Sequence, residues 1–306
     1  SYTGYFCLLF AALCWGMIGP VARFALENGL TPLETAFWRS GIGGAFCMLH
    51  ALATRTAGIH SLRDGASFAV FGAGSLGGFF AAYQYAVQTG GAALAAVLLY
   101  TAPAWVALFS RIVFKESLTW VKSAAIGLSL AGIACISIGG TVPADSVSGT
   151  GTAFGWKAPA FGLLSGLLYS THYIFTKNYL QRYSSFALYG YCMLFGALTL
   201  YAFVDFAPKS AVDWFVVFFL GLVCSYVAYW AYCEGLRRIA PTSAAVLATL
   251  EPVIAALAAW WLWGEQFTFL GWIGSAMILA AVLGLVLRPA DQKQMIADAD
   301  GRVTSP

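Results

Sequence analysis

The chain has 306 residues, of which 60% are hydrophobic and only 9% charged, with a mean hydropathy of +0.77. A soluble domain carries about 25% charged residues, so this chain has no polar coat for its apolar surface and a soluble globule is excluded. The formal net charge of +3 is spread along the chain rather than gathered into a patch, which points away from nucleic acid and toward the lipid bilayer as partner.

The hydrocarbon core of a bilayer takes about 20 apolar residues per helix. Runs of that kind lie near residues 4–26, 33–54, 64–88, 92–110, 118–138, 158–176, 186–204, 212–236, 243–262 and 269–287. They show no two-residue alternation, and backbone inside lipid must satisfy its own hydrogen bonds. The predicted fold is therefore an all-α membrane protein with ten transmembrane helices. The first run lacks a basic leader and a small-residue cleavage site, so it reads as a retained helix rather than a signal peptide.

Taken in order, the first span carries Trp15 at mid-depth and Arg23 at its far end, and the second carries Arg39 near its outer end. That arginine either attracts a carboxylate or snorkels to the interface. The third span is dense in small residues (Gly72, Gly74, Gly77, Gly78) and includes Tyr83. Such residues let helix backbones approach closely where lipid supplies no hydrophobic drive. The short link Thr89-Gly90-Gly91 predicts an antiparallel hairpin into the fourth span, which holds Tyr100 and, at mid-helix, Pro103. A proline there removes a backbone hydrogen bond, bends the helix and frees a carbonyl near Leu99. Glu116 stands at the end of that helix, before the fifth span.

The sixth span places Tyr169 and the deep histidine His172 ahead of Lys177, and the eighth carries Tyr232 and then Glu234 at helical spacing from Arg237 and Arg238. The link Arg238-Ile239-Ala240-Pro241 leads to the ninth span, where Glu251 precedes Pro252 and a second carbonyl is freed near Ala248. Tyrosines at mid-depth need protein or water for their hydroxyls, and ionisable groups inside a membrane default to functional roles. Trp15, Tyr83, Tyr100, Tyr169, His172, Tyr232 and Glu251 are thus the expected substrate-binding set, with Pro103 and Pro252 as hinges.

Pro103 and Pro252 lie 149 residues apart, as do Glu116 and Glu265, Tyr83 and Tyr232, and Ala86 and Gly235. The chain divides into a first repeat (1–140, spans one to five), an outer linker (141–157), a second repeat (158–290, spans six to ten) and a polar tail (291–306). Five spans per copy force the copies to cross the bilayer in opposite senses. Two inverted five-helix repeats are a ground plan of secondary transporters, with the substrate site between them near the midplane. If the amino terminus is cytoplasmic, 12 of the 16 Lys and Arg residues fall inside, which predicts both termini on that side.

Catalytic and nucleotide signatures do not occur, the P-loop included, so transport energy would come from gradients. The seven cysteines all fall within spans and form no CxxC pair. Neither a disulfide framework nor a metal site is expected, and no cofactor.

The segments Tyr100–Pro103…Phe114-Lys115-Glu116-Ser117-Leu118-Thr119 and Leu250-Glu251-Pro252…Trp263-Gly264-Glu265-Gln266-Phe267-Thr268 resemble the EamA domain of the drug/metabolite transporter superfamily. That resemblance implies a ten-helix carrier, in the inner membrane of bacteria, that exports amino acids or related small metabolites. Among its branches the chain looks most like the YddG-like aromatic amino acid exporters, through Tyr100 and Tyr169, while Ala102 stands where that group can carry a bulky aromatic. The expected function is a secondary exporter of amino acids, aromatic or other apolar ones favoured, working by alternating access. Export of cationic or quaternary ammonium drugs is the alternative. A membrane-embedded enzyme, the reading from another class, would need a cluster of catalytic polar groups at one interface, and the sequence offers none.

Overall fold

The computed structural model describes residues 2–139, 156–264 and 268–287. Most of the expected linker, Glu265 and the tail lie outside the described residues. Within them the chain is helical and contains no strand. The helices are α1 (Tyr2–Gly16), α2 (Ile18–Leu26), α3 (Pro32–Ala53), α4 (Leu62–Phe71), α5 (Gly78–Leu99), α6 (Ala102–Val113), α7 (Trp120–Gly139), α8 (Lys157–Tyr179), α9 (Ser185–Tyr201), α10 (Ala211–Gly221), α11 (Ala228–Arg238), α12 (Pro241–Ala248), α13 (Glu251–Trp263) and α14 (Phe269–Val286). Among the described residues, seven helical stretches are long and apolar enough to cross a membrane: Tyr2–Leu26, Leu62–Gly90, Leu94–Val113, Trp120–Ile138, Ala211–Arg238, Pro241–Leu262 and Phe269–Val286. The protein is a multi-pass membrane protein.

Local chemistry fixes where helices begin. Thr31, Ser61, Ser184 and Thr268 each accept a hydrogen bond from the backbone N–H three residues on, at 3.1 Å. Each satisfies a donor that a first turn would otherwise leave bare. Ser210 and Asp213 form a reciprocal capping box at the start of α10,.

The prolines act differently from the expected mid-helix kinks. Tyr100 and Thr101 interrupt the helix, and Pro103 sits in the first turn of α6. Thr249 and Leu250 do the same ahead of α13, with Pro252 in its first turn. A first turn has no use for the N–H that proline lacks, so these spans are broken and restarted rather than bent. Around Thr89-Gly90-Gly91 helical hydrogen bonding continues through α5, yet its neighbours along α8 reverse. A Cβ added at Gly78 would meet Leu168, and one at Gly90 would meet Ala158, whereas Leu98 packs on Gly162 and the Leu99 carbonyl on Gly166. The chain thus doubles back between Gly90 and Leu98.

Two further irregularities are π-helical segments, Gly72–Gly77 between α4 and α5 and Leu222–Val227 between α10 and α11. Their starts differ by 150 residues, nearly the offset of the sequence repeat, and Ser75 in one matches Ser225 in the other. Single π turns inside α-helices cluster at functional sites.

Helices from the two ends of the chain pack on each other. α1 lies against α11, α12 and α13, while α8 lies against α5 and α6. α3 packs on α9, and α7 on α14. Glycines set the closest approaches: a Cβ on Gly235 would fall 2.9 Å from the Gly4 carbonyl oxygen, and one on Gly132 would fall 2.7 Å from that of Gly274.

At one end of the bundle, Lys177 Nζ donates to the Leu236 and Ile239 carbonyls, and Arg237 donates to those of Leu180 and Tyr183. Asp64 accepts from the Tyr183 hydroxyl at 2.7 Å and pairs with Arg182 at 3.2 Å. The Glu234–Arg237 and Glu234–Arg238 pairs form at helical spacing, as expected, at 3.5 and 2.7 Å. At the other end, Lys209 Nζ reaches the fully buried Glu34 at 2.5 Å and lies between 5.1 and 5.7 Å from the rings of Trp38, Phe206 and Trp214.

Candidate functional site

Three helices bring rings to one point inside the bundle. α1 supplies Trp15, α8 supplies Tyr169, His172 and Tyr173, and α11 supplies Tyr229 and Tyr232. The Trp15 ring lies 5.3 Å from Tyr229 and 5.4 Å from Tyr232, and Tyr173 lies 5.5 Å from Tyr232. These are edge-on or tilted contacts, the arrangement ring quadrupoles favour. The rings leave only about 10 Å³ of free space between them, room for about one water,. Ligand pockets start at roughly 300 Å³, so admitting a metabolite requires rings to swing or helices to part.

The polar atoms of this chamber are few and specific. The Tyr173 hydroxyl donates to that of Tyr169 at 3.4 Å. His172 Nε2 lies 3.4 Å from the Ser75 carbonyl of the first π segment, which assigns Nε2 as the donor,. Beside it the Ser75 and Thr171 hydroxyls meet at 2.8 Å. Among the described residues the Tyr232 hydroxyl is buried without a hydrogen-bond partner. Leaving such a group unsatisfied costs about 1–3 kcal/mol, so it is poised to meet water or a ligand.

A larger cavity, of about 240 Å³, opens between α2, α3 and α5. Its lining is apolar apart from Thr35, Arg39, Tyr83 and Gln84. It lies toward the start of α3, far from the end tied by Lys177 and Arg237. The half-buried Arg39 guanidinium is 4.9 Å from the centre of the Phe80 ring. Glu251, in the first turn of α13, interacts with the Tyr100 hydroxyl and lies in the field of Arg39. Its backbone carbonyl is 3.0 Å from where a Cβ on Gly16 would stand, beside the break between α1 and α2.

The expected residues therefore divide. Trp15, Tyr169, His172 and Tyr232 converge on the chamber. Tyr83 lines the larger cavity instead, and Tyr100 and Glu251 line neither. Tyr173 and Tyr229 were not singled out by sequence. The signal was present in their spacing, four residues after Tyr169 and three before Tyr232, which puts each on its neighbour's helix face. Pro103 and Pro252 contact neither cavity. The carbonyls near the first break are covered by α8: a Cβ on Gly166 would stand 2.6 Å from the Leu98 oxygen and 2.9 Å from that of Leu99.

Known proteins fit this architecture. A protein of Archaeoglobus fulgidus named as an uncharacterized transporter is 29% identical over 203 residues, covering 66% of this chain and 70% of its own. A Streptantibioticus cattleyicolor protein named as a probable terminal-alkyne amino-acid exporter is 26% identical over 218 residues, 69% of each chain. One solved crystal structure superposes with a TM-score of 0.79 over 96% of this chain and 99% of the other, at 20% identity, a likeness of fold alone. The model of the EamA-like transporter family matches twice, at residues 2–138 and again at 156–287. The chain belongs to the EamA-like transporter family.

Proposed function

We propose that this transporter is a secondary carrier that exports amino acids, aromatic or other apolar ones preferentially, by alternating access between two inverted repeats. The observation that carries the reading is the aromatic chamber, whose walls come from α1 on one side of the linker and from α8 and α11 on the other. Aromatic faces suit an apolar side chain and also attract an ammonium group. The inverted arrangement is supported by the double family match, the π segments at repeat-related positions and the exchange of partners, in which α1 and α8 each pack on the later helices of the opposite half. Ten transmembrane helices follow when α3, α8 and α9 join the seven apolar stretches. The distribution of Lys and Arg supports both termini on the cytoplasmic side, and the family supports a bacterial inner membrane as the setting.

Under that orientation the Lys177–Arg237 ties close the cytoplasmic end, and the cavity at Arg39 lies on the outer side. The two-residue breaks before α6 and α13, rather than proline kinks, are the natural points for the hairpins to rock. Counterflow tests the reading: purified protein in liposomes preloaded with unlabelled phenylalanine accumulates external labelled phenylalanine, with saturation. Liposomes that accumulate none of a panel of amino acids contradict the substrate class.

Export of cationic drugs has one observation in its favour, the Glu251 carboxylate beside aromatic rings. Glu251→Gln separates the readings. Amino acid export predicts that counterflow of phenylalanine falls about tenfold or more, the scale of one lost charge-assisted contact. Phenylalanine counterflow left at the parental rate, with quaternary ammonium transport abolished, identifies the chain as a drug exporter instead.

A further inference from the structure

The family model matches both halves of the chain, so a contact made in one half has a counterpart position in the other. Helices α1 and α2 correspond to α8 at an offset of 154, which sets Trp15 on Tyr169, Gly19 on Tyr173 and Arg23 on Lys177. Spans three and eight correspond at 149, which sets Tyr83 on Tyr232 and Gly90 on Ile239. Several contacts occur in both copies. A Cβ on Gly4 would fall 2.9 Å from the Ile239 side chain, and at the counterpart positions one on Gly90 would fall 2.7 Å from Ala158. Asp64 pairs with Arg182 at 3.2 Å, and their counterparts Asp213 and Asn28 are hydrogen-bonded at 2.9 Å.

One tie differs between the copies. Lys177, in the last turn of α8, donates to the Leu236 carbonyl and, at 3.2 Å, to that of Ile239, where spans eight and nine turn back. Beneath it the buried Tyr173 and Tyr232 rings are 5.5 Å apart. Arg23, in the last turn of α2, pairs with Glu27 at 2.9 Å. Below it Gly19 and Tyr83 line the cavity of about 240 Å³, with α2 on one side and α5 on the other. The gap thus stands where the first half would make the contact that closes the second. A cation over main-chain carbonyls at a helix end meets their partial negative charge, and arginine can serve there as lysine does.

We infer that Lys177 and Arg23 are alternating latches. In the state seen here Lys177 holds the tip of the hairpin formed by spans eight and nine. In the opposite state Arg23 leaves Glu27 and holds the tip of spans three and four, near Gly90. The inference rests on the alternating-access reading and names the groups that keep each face shut. Contacts present in both copies, such as those of Asp64 and Asp213, act as fixed joints, and the unequal pair marks what moves. Because the latches grip carbonyls rather than a carboxylate, releasing one leaves no buried anion unpaired.

The test is disulfide formation between Gly19→Cys and Tyr83→Cys, set in protein whose seven natural cysteines are replaced by alanine, in vesicles treated with copper phenanthroline. A Cβ on Gly19 meets nothing within 4 Å beyond its own helix, so the new cysteine fits the open state. Closing the cavity brings the two thiols together, as the Tyr173 and Tyr232 rings are together here. Arg23→Gln lowers the early disulfide yield and Lys177→Gln raises it, each at least about threefold, the scale of losing one charged hydrogen bond. Arg23→Lys keeps the parental yield. Opposite signs from two losses of positive charge are what a merely structural role does not produce. A yield that Arg23→Gln leaves unchanged overturns the inference, as does a fall caused by Lys177→Gln. Should Lys177→Gln fail to fold, the Arg23→Gln result decides alone. A pair that never closes with both latches intact, although the parental chain performs counterflow, overturns alternating access itself, a result distinct from either.

Discussion

Replacing Lys209 by alanine is expected to lower the stability of the protein by about 3–5 kcal/mol, the cost of removing one partner from a buried ion pair. Glu34 is fully buried, and besides Lys209 it accepts from the Ala207 backbone N–H at 3.2 Å and the Trp38 indole at 3.3 Å. Without the ammonium its charge stays in an aromatic enclosure that water does not reach. Thermal unfolding in detergent measures the loss. Adding Glu34→Gln to the alanine variant restores part of the stability, because a neutral amide costs less to bury than a carboxylate. A Lys209→Ala protein that melts like its parent contradicts the buried pair.

The second large effect is expected at Gly166. The α8 backbone lies so close to the break at Tyr100 and Thr101 that a Cβ on Gly166 would stand 2.6 Å from the Leu98 carbonyl oxygen and 2.8 Å from the Thr101 hydroxyl. Backbone oxygens there cannot withdraw as a side chain can. Gly166→Leu therefore drives α8 away from the break, at about 1–3 kcal/mol of overpacking, and moves Tyr169, His172 and Tyr173 out of register with Trp15 and Tyr232. Counterflow is expected to disappear even in protein that still folds. Gly162, one turn earlier, has side-chain atoms of Leu98 as its nearest neighbours, so Gly162→Ala is the milder change. Equal transport by both variants means that α8 does not position the chamber.

Seven of the expected spans were legible in the sequence because hydropathy marks them directly, and the capping residues Thr31, Ser61, Ser184 and Thr268 fall where the apolar runs begin. The breaks at Tyr100-Thr101 and Thr249-Leu250 were not, since a proline inside an apolar run reads as a kink whether the helix bends or restarts. Only the path of the two residues before it decides. The π segments leave no mark on composition, and their match across the halves emerges from backbone geometry alone. At the site, Trp15, Tyr169, His172 and Tyr232 were found as mid-depth polar or aromatic groups. Tyr83 shared that depth but faces the cavity of Arg39, because which way a helix turns its face is settled by packing against its neighbours. Arg39 carried two readings in the sequence, and it stands in the wall of the larger cavity against the Phe80 ring.

The central claim is that one aromatic chamber opens alternately to the two sides of the membrane. Tyr169→Cys, made in a protein whose seven natural cysteines have been replaced by alanine, places a reactive thiol in that chamber. In vesicles holding the carrier in one orientation, a membrane-impermeant maleimide is applied to one face at a time. Labelling from either face, with phenylalanine slowing both reactions, is the predicted result. A thiol reached from only one face, or from neither, in protein that still performs counterflow would contradict it.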